Sequence, residues 1–212
     1  MTNPDYTAIM LLIDRSGSMI AIRDSAESAI REFILDQANQ PGRRSIRIAQ
    51  FDTEYFPVHG SVPAGEAPLF KLEPRGGTAL LDAMARAMTH FGAELSALPE
   101  DGRPGNVIFA VMTDGEENSS VEFTWDQVKA MVETQQNTYG WHVLYLGANQ
   151  DAIATAAKVG IAAGQSMTYA ASAAGVTGTT SGLSAYASRA AGGQSVFDSS
   201  FTDAERDDAQ QK

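Results

Sequence analysis

Two runs, Ala8-Ile9-Met10-Leu11-Leu12-Ile13 and Val107-Ile108-Phe109-Ala110-Val111-Met112, are apolar at every position. A strand with no polar face is covered on both sides, so both runs read as central strands of a sheet. Between them the period changes. Ile22, Ala26, Ala29, Ile30, Phe33 and Ile34 fall on one stripe at helical spacing, and Pro41-Gly42 stops that helix. Residues 45–51 alternate like a strand, and residues 55–59 predict a short return at the sheet edge, where Pro57 is tolerated. Residues 63–77 are loop-like, and Leu81, Met84, Met88, Phe91 and Leu95 form a second helical stripe.

Further on, Thr124-x-x-Gln127 predicts a capping box that opens a helix carrying Val128, Met131 and Val132 inward. Residues 141–146 predict another strand, ended by Gly147. After Asp151 the composition shifts to Ala, Gly and Ser. Residues 153–159 read as a short helix stopped by Gly160, and Met167-Thr168-Tyr169 as a last edge strand. Leu183, Tyr186, Ala187 and Ala190 suggest a closing helix whose small residues allow close packing but specify register weakly. Strands alternating with helices predict an α/β fold, an open and mostly parallel sheet with helices on both faces. The domain is expected over residues 1–192. Residues 193–212 form a polar, acidic tail, expected to be disordered or a short docked helix. There Thr202-x-x-Glu205 would cap a turn or two, and Phe197 and Phe201 could dock back. A partner-binding tail is the sharper alternative.

A chain of 212 residues with 43% apolar and 19% charged positions suits one such domain. The net charge of −11 and a pI near 4.6 repel phosphate backbones and anionic lipid, so neither nucleic acid nor membrane is expected as a partner. The same acidity suits cations. The absence of cysteine removes disulfides, thiolate metal sites and cysteine nucleophiles together. No basic region precedes the first apolar run, which is too short for a signal peptide or a membrane span. The expected location is the cytoplasm, or a particle assembled there.

Three short segments carry the chemistry: Asp14-Arg15-Ser16-Gly17-Ser18, Gly76-Gly77-Thr78 and Thr113-Asp114-Gly115. In an open α/β sheet, loops at the carboxyl ends of the strands line a crevice where the strand order reverses. If the chain stays extended past the first strand, Asp14, Ser16 and Ser18 point the same way. Two carboxylates and three hydroxyls are hard oxygen donors, suited to Mg²⁺, Mn²⁺ or Ca²⁺. Each residue also has a plainer use. Ser16, Ser18 and Thr78 could cap the helices that follow, and Asp114-Gly115 could be a turn. Taken together, the metal reading is the better one, because all three segments connect a strand to a helix on the same predicted edge.

These residues resemble the metal-ion-dependent adhesion site of von Willebrand factor A domains, a likeness that covers roughly residues 5–192. Asp14-x-Ser16-x-Ser18, Thr78 and Asp114 match its pattern with no departure. The run Leu146-Gly147-Ala148-Asn149-Gln150-Asp151 is similar to small bacterial or phage members. The resemblance implies a doubly wound, mostly parallel six-stranded sheet with one antiparallel edge strand. It also implies that the hydroxyls of Ser16 and Ser18 bind the ion directly, that Thr78 does so in the engaged state, and that Asp14 and Asp114 act directly or through water. A partner's Asp or Glu would complete the shell. Arg15, Gly77, Glu116, Glu117, Asn118 and Ser119 would form the rim that selects the partner. There the two glutamates would disfavour a strongly acidic partner and attract Lys or Arg. Intracellular relatives commonly act as adaptors in multiprotein machines, including ones driven by AAA+ ATPases.

Two other functions fit the same residues. A metal-dependent phosphohydrolase could use Asp14 and Asp114, with Arg15 and Arg75 as the nearby cations. A structural subunit could use the metal only to stiffen its loops. Neither a G-x-S-x-G elbow, a Walker A loop nor a dinucleotide fingerprint is present. His59, His90 and His142 do not cluster by spacing. A non-catalytic, metal-dependent protein-binding module is therefore expected.

Overall fold

The computed structural model describes residues 2–148 and 152–212. Residues 149–151, part of the run similar to bacterial and phage members, lie outside the described residues. The chain runs β1 (Asn3–Asp14), α1 (Arg23–Asn39), β2 (Arg43–Phe51), β3 (Tyr55–Pro63), α2 (Leu80–Ser96) and β4 (Pro104–Thr113). It continues through α3 (Trp125–Tyr139), β5 (His142–Ala148), α4 (Ala152–Lys158), β6 (Ser166–Tyr169), α5 (Ala173–Ala191) and α6 (Asp203–Ala209). The sheet has six strands in the order β3-β2-β1-β4-β5-β6, and only β3 is antiparallel to its neighbour.

The two all-apolar runs are the adjacent central strands β1 and β4. Along β1, Ile9, Leu11 and Ile13 face the layer of α1 and α5, while Ala8, Met10 and Leu12 face α2 and α3. Burying both faces of these strands is what removes the polar alternation from their sequence. Strand β3 is longer than the predicted return. Its Pro57 sits opposite Ala49 at a break in the pairing register, where a missing backbone donor costs little. Helix α3 has the predicted capping box, with Thr124 and Gln127 each bonded to the other's backbone N–H.

The small-residue face of α5 has a specific use. A β-carbon on Gly178 would lie 2.6 Å from the carbonyl carbon of Asp208, and one on Gly175 would lie 2.9 Å from the Ala209 oxygen. Helix α6 occupies that space, so part of the 193–212 segment packs on the domain. Phe201 is buried and lies 5.0 Å, ring centre to ring centre, from Tyr186, whereas Phe197 stays exposed. Arg189 holds Glu205 through two contacts of 2.6 and 3.0 Å. Arg206 donates to the Ser166 and Ala163 carbonyls, and Gln210 to that of Thr168. Arg206 of α6 and Gln210 just past it thus satisfy carbonyls of β6, a strand at the edge of the sheet. Among the described residues, no helix is long and apolar enough to cross a membrane.

Candidate metal centre

Strands β1 and β4 leave the sheet side by side, and their continuations turn to opposite sides, which opens a crevice at their carboxyl ends. Asp14 is the last residue of β1 and Thr113 the last of β4. Past Asp14 the backbone stays extended at Ser16 (φ −60°, ψ 164°), then turns at residues 17–22. Asp14 Oδ1 accepts the Ser16 N–H at 2.6 Å, and Oδ2 accepts the Thr113 hydroxyl at 2.6 Å. Ser16 Oγ is 3.1 Å from Ser18 Oγ, and Ser18 donates to Asp114 Oδ1 at 2.6 Å. Four of the five predicted ligands therefore form one chain of contacts.

Thr78 reaches the same place. A β-carbon on Gly115 would stand 2.7 Å from Thr78 Oγ1 and 3.6 Å from both Asp14 Oδ2 and Ser16 Oγ. Oxygens from two other loops and the end of β1 meet around that glycine. Neither Ser16 nor Thr78 caps a helix: the turn after Ser16 has no side-chain cap, and α2 begins with Ala79 at its N-cap position. The two ligand loops are stitched by Gly17 N–H to Gly76 O at 3.1 Å and Arg75 N–H to Arg15 O at 2.7 Å. Gly76 makes this possible at φ +68°, a conformation that β-carbons disfavour.

The electrostatics suit a cation. Asp14 is 0% exposed, yet among the described residues no Lys, Arg or His forms an ion pair with it or with Asp114. Burial pushes the Asp14 carboxyl up to about 6; hydrogen bonds from Thr113 and Ser16 oppose the rise, and the charge of Asp114 adds to it. Burial also raises Asp114, against the hydrogen bond from Ser18. Burial and the charges of Asp114 and Asp14 raise the Tyr169 hydroxyl, which lies 3.3 Å from the Thr113 carbonyl. A buried carboxylate beside a half-buried one, with no counter-charge, is unfavourable on its own, and a hard divalent ion would relieve both. The donor set fits such an ion. Among the described residues, no group of three or more His, Cys, Asp and Glu side chains is arranged to hold a metal; this cluster relies on hydroxyls instead.

The rim differs from the sequence expectation. Arg15 does not project from it: its guanidinium lies 3.5 Å over the Phe56 ring, with Nε 3.0 Å from Asp52 Oδ2. That ion pair is not aligned as a hydrogen bond, since Arg15 Nε and Nη2 have no hydrogen-bond partner. Glu117 turns inward and accepts from the backbone of Leu81, Ser119 and Ser120 and from the Ser120 hydroxyl. Asn118 Oδ1 accepts the Thr78 N–H at 3.0 Å and the Ser119 hydroxyl at 2.6 Å, so both residues brace the Thr78 loop. Gly77 leaves room for that pair, because its β-carbon would lie 2.9 Å from Asn118 Oδ1. Glu116 is the rim carboxylate that stays exposed.

Sequence reasoning missed three supports. Thr113 orients Asp14, Asp82 accepts the N–H groups of Val121, Glu122 and Phe123, and Asp52 holds Arg15 and Arg75. For Asp52 there was a usable signal, its place directly after a predicted strand. For Asp82, inside an amphipathic helix, there was none.

Scans against protein-family models and curated proteins find no match. Solved structures do match. A von Willebrand factor type A protein from Catenulispora acidiphila superposes with a TM-score of 0.60 at 14% identity, covering 86% of this chain and 43% of that one. Proximal thread matrix protein 1 from the mussel byssus gives 0.63 at 12% identity, with 88% and 46% covered. The ArnB paralog VWA2 from Sulfolobus acidocaldarius gives 0.56 at 17% identity, with 82% and 44% covered. The chain spans less than half the length of these structures. With its sheet order, these matches show that the chain has the von Willebrand factor A fold.

Proposed function

We propose that this domain binds a partner protein through a divalent cation, Mg²⁺ or else Mn²⁺ or Ca²⁺, held by Asp14, Ser16, Ser18, Thr78 and Asp114. The observation that carries the reading is the meeting of Thr78, Asp14 and Ser16 oxygens around Gly115, beside two carboxylates with which no cationic side chain pairs among the described residues. The bound ion would supply a Lewis-acidic position for a carboxylate of the partner. The chain's own part is to orient oxygens. Thr113 and the Ser16 N–H fix the Asp14 carboxylate, Ser18 spans to Asp114, and Asn118 fixes Thr78. Two carboxylates leave a divalent ion without excess negative charge, so a partner Asp or Glu binds with little repulsion.

The module is non-catalytic in this reading. Arg15 and Arg75, the cations a phosphoester-cleaving site would need, are engaged by Asp52 instead. Its place is that of an adaptor or subunit in a cytoplasmic multiprotein assembly, including one built on an AAA+ ATPase. The test is affinity capture with wild-type and Asp14→Ala domains, each with Mg²⁺ and with EDTA. A partner retained only by wild type with Mg²⁺ supports the reading. A folded Asp14→Ala domain that keeps every partner would leave the metal with a stiffening role alone. Metal-dependent turnover of a phosphoester would favour the enzyme.

A further inference from the structure

The tip of the β2–β3 hairpin contributes none of the five proposed ligands, yet it grips both loops that carry the hydroxyl ligands. Asp52 is 0% exposed. Its Oδ2 lies 3.0 Å from Arg15 Nε and 2.8 Å from Arg75 Nε, and its Oδ1 accepts the Glu54 N–H at 2.8 Å. Its backbone carbonyl accepts the Ala79 N–H at 2.8 Å, next to Thr78. Phe56, across the hairpin, carries the Arg15 guanidinium at 3.5 Å and that of Arg75 at 5.1 Å on its ring. Arg15 stands between Asp14 and Ser16, and Arg75 stands three residues before Thr78. The two arginines are also joined by their backbones, Arg75 N–H to Arg15 O at 2.7 Å, while Arg15 N–H bonds Phe51 O at 2.7 Å.

We infer that this hairpin tip is a clamp on the metal centre, with Asp52 as its positioning residue. The inference rests on the metal reading above. The loops carrying Ser16, Ser18 and Thr78 join different elements, and the β1–β4 ladder, which ends at Ile13 and Met112, does not set their relative position. Two backbone hydrogen bonds stitch the loops, and Asp52 and Phe56 add a side-chain constraint from the opposite flank. A buried carboxylate shared by two guanidiniums is costly to break, because removing one partner leaves charge uncompensated. A cation stacked on an aromatic ring adds a second, independent hold. Loosening the clamp lets Thr78 drift relative to Ser16 and Ser18, and a metal site tolerates displacements of only about 0.2 Å. Outer supports of metal ligands typically contribute about 10–100-fold in affinity.

The test titrates Mn²⁺ alone into the full chain and reads the free ion by electron paramagnetic resonance. Circular dichroism and melting in EDTA report the fold separately. Asp52→Asn keeps the shape and removes the charge, and Phe56→Leu removes the ring alone. Glu94→Gln serves as a control at the base of the same hairpin, where Glu94 pairs with Arg47 and accepts the Ser61 N–H. The expected result is at least tenfold weaker Mn²⁺ binding for Asp52→Asn, about threefold weaker for Phe56→Leu, and no change for Glu94→Gln. If Asp52→Asn fails to fold, Phe56→Leu decides the matter. Folded clamp variants that bind Mn²⁺ within twofold of wild type overturn the clamp and leave the metal reading standing, as does equal weakening by Glu94→Gln. A wild-type chain that takes up no Mn²⁺ overturns both.

Discussion

Replacing Gly115 by alanine tests the metal centre with a single methyl group. The new carbon would lie 2.7 Å from Thr78 Oγ1, and ordinary contact between such atoms begins near 3.4 Å, so the hydroxyl must retreat by about 0.7 Å. The Asp14 and Ser16 oxygens, at 3.6 Å, need not move. Threonine has few rotamers, and rotating it would swing the hydroxyl out of the site altogether. A retreat of 0.7 Å exceeds the tolerance of a metal site, about 0.2 Å, by more than threefold. Loss of this one neutral ligand should weaken Mg²⁺ or Mn²⁺ binding by about 10–100-fold, or about 1.4–2.7 kcal/mol. The fold should survive, because Gly115 lies in a partly exposed loop outside the sheet. Metal titration with parallel melting curves in EDTA and in excess ion measures both. Gly140→Ala is the control: its φ of +67° costs about 1 kcal/mol of stability, nothing lies within 4 Å, and metal affinity should not change. A folded Gly115→Ala chain that binds the ion within twofold of wild type would refute the placement of Thr78 among the ligands.

Other expectations follow from the same geometry. Asp14→Asn should remove the ion-induced rise in melting temperature, read by calorimetry with and without Mg²⁺; a rise equal to wild type would count against Asp14 as a ligand. His142 has its pKa lowered to about 4 by burial, so between about pH 6.5 and 4 the unfolded chain binds more protons than the folded one. Stability therefore falls as the pH drops through that window. His142→Gln should lose about 2 kcal/mol less than wild type between pH 7 and 4.5, measured by urea unfolding at both pH values. Gly178→Ala would drive a methyl group into the α6 backbone, exposing Phe201 and breaking the Arg189–Glu205 contacts. The burial lost is about 2–3 kcal/mol, so melting should fall by about 5–10 °C and limited proteolysis should begin between α5 and α6. An unchanged cleavage pattern would show that α6 does not depend on close contact with α5.

The sequence alone determined the order of elements, the parallel character of the sheet and the identity of the clustered oxygens. Those features are written locally. All-apolar runs mark strands buried on both faces, stripes at helical spacing mark their covering helices, and Asp14, Ser16, Ser18, Thr78 and Asp114 stand in strand-to-helix connections that an open α/β sheet gathers on one edge. Tertiary structure decided how each side chain is used. Arg15 and Glu117 are charged loop residues whose spacing suits a solvent-facing rim, yet both turn inward, because Asp52 with Phe56 and the start of α2 offer them partners far away in sequence. The glycines of α5 look like weak specification until α6 is laid against them, since a missing side chain carries no record of what fills its space. Periodicity reports whether a residue is covered, but the covering group and the hydrogen bonds it makes arise only when distant segments meet.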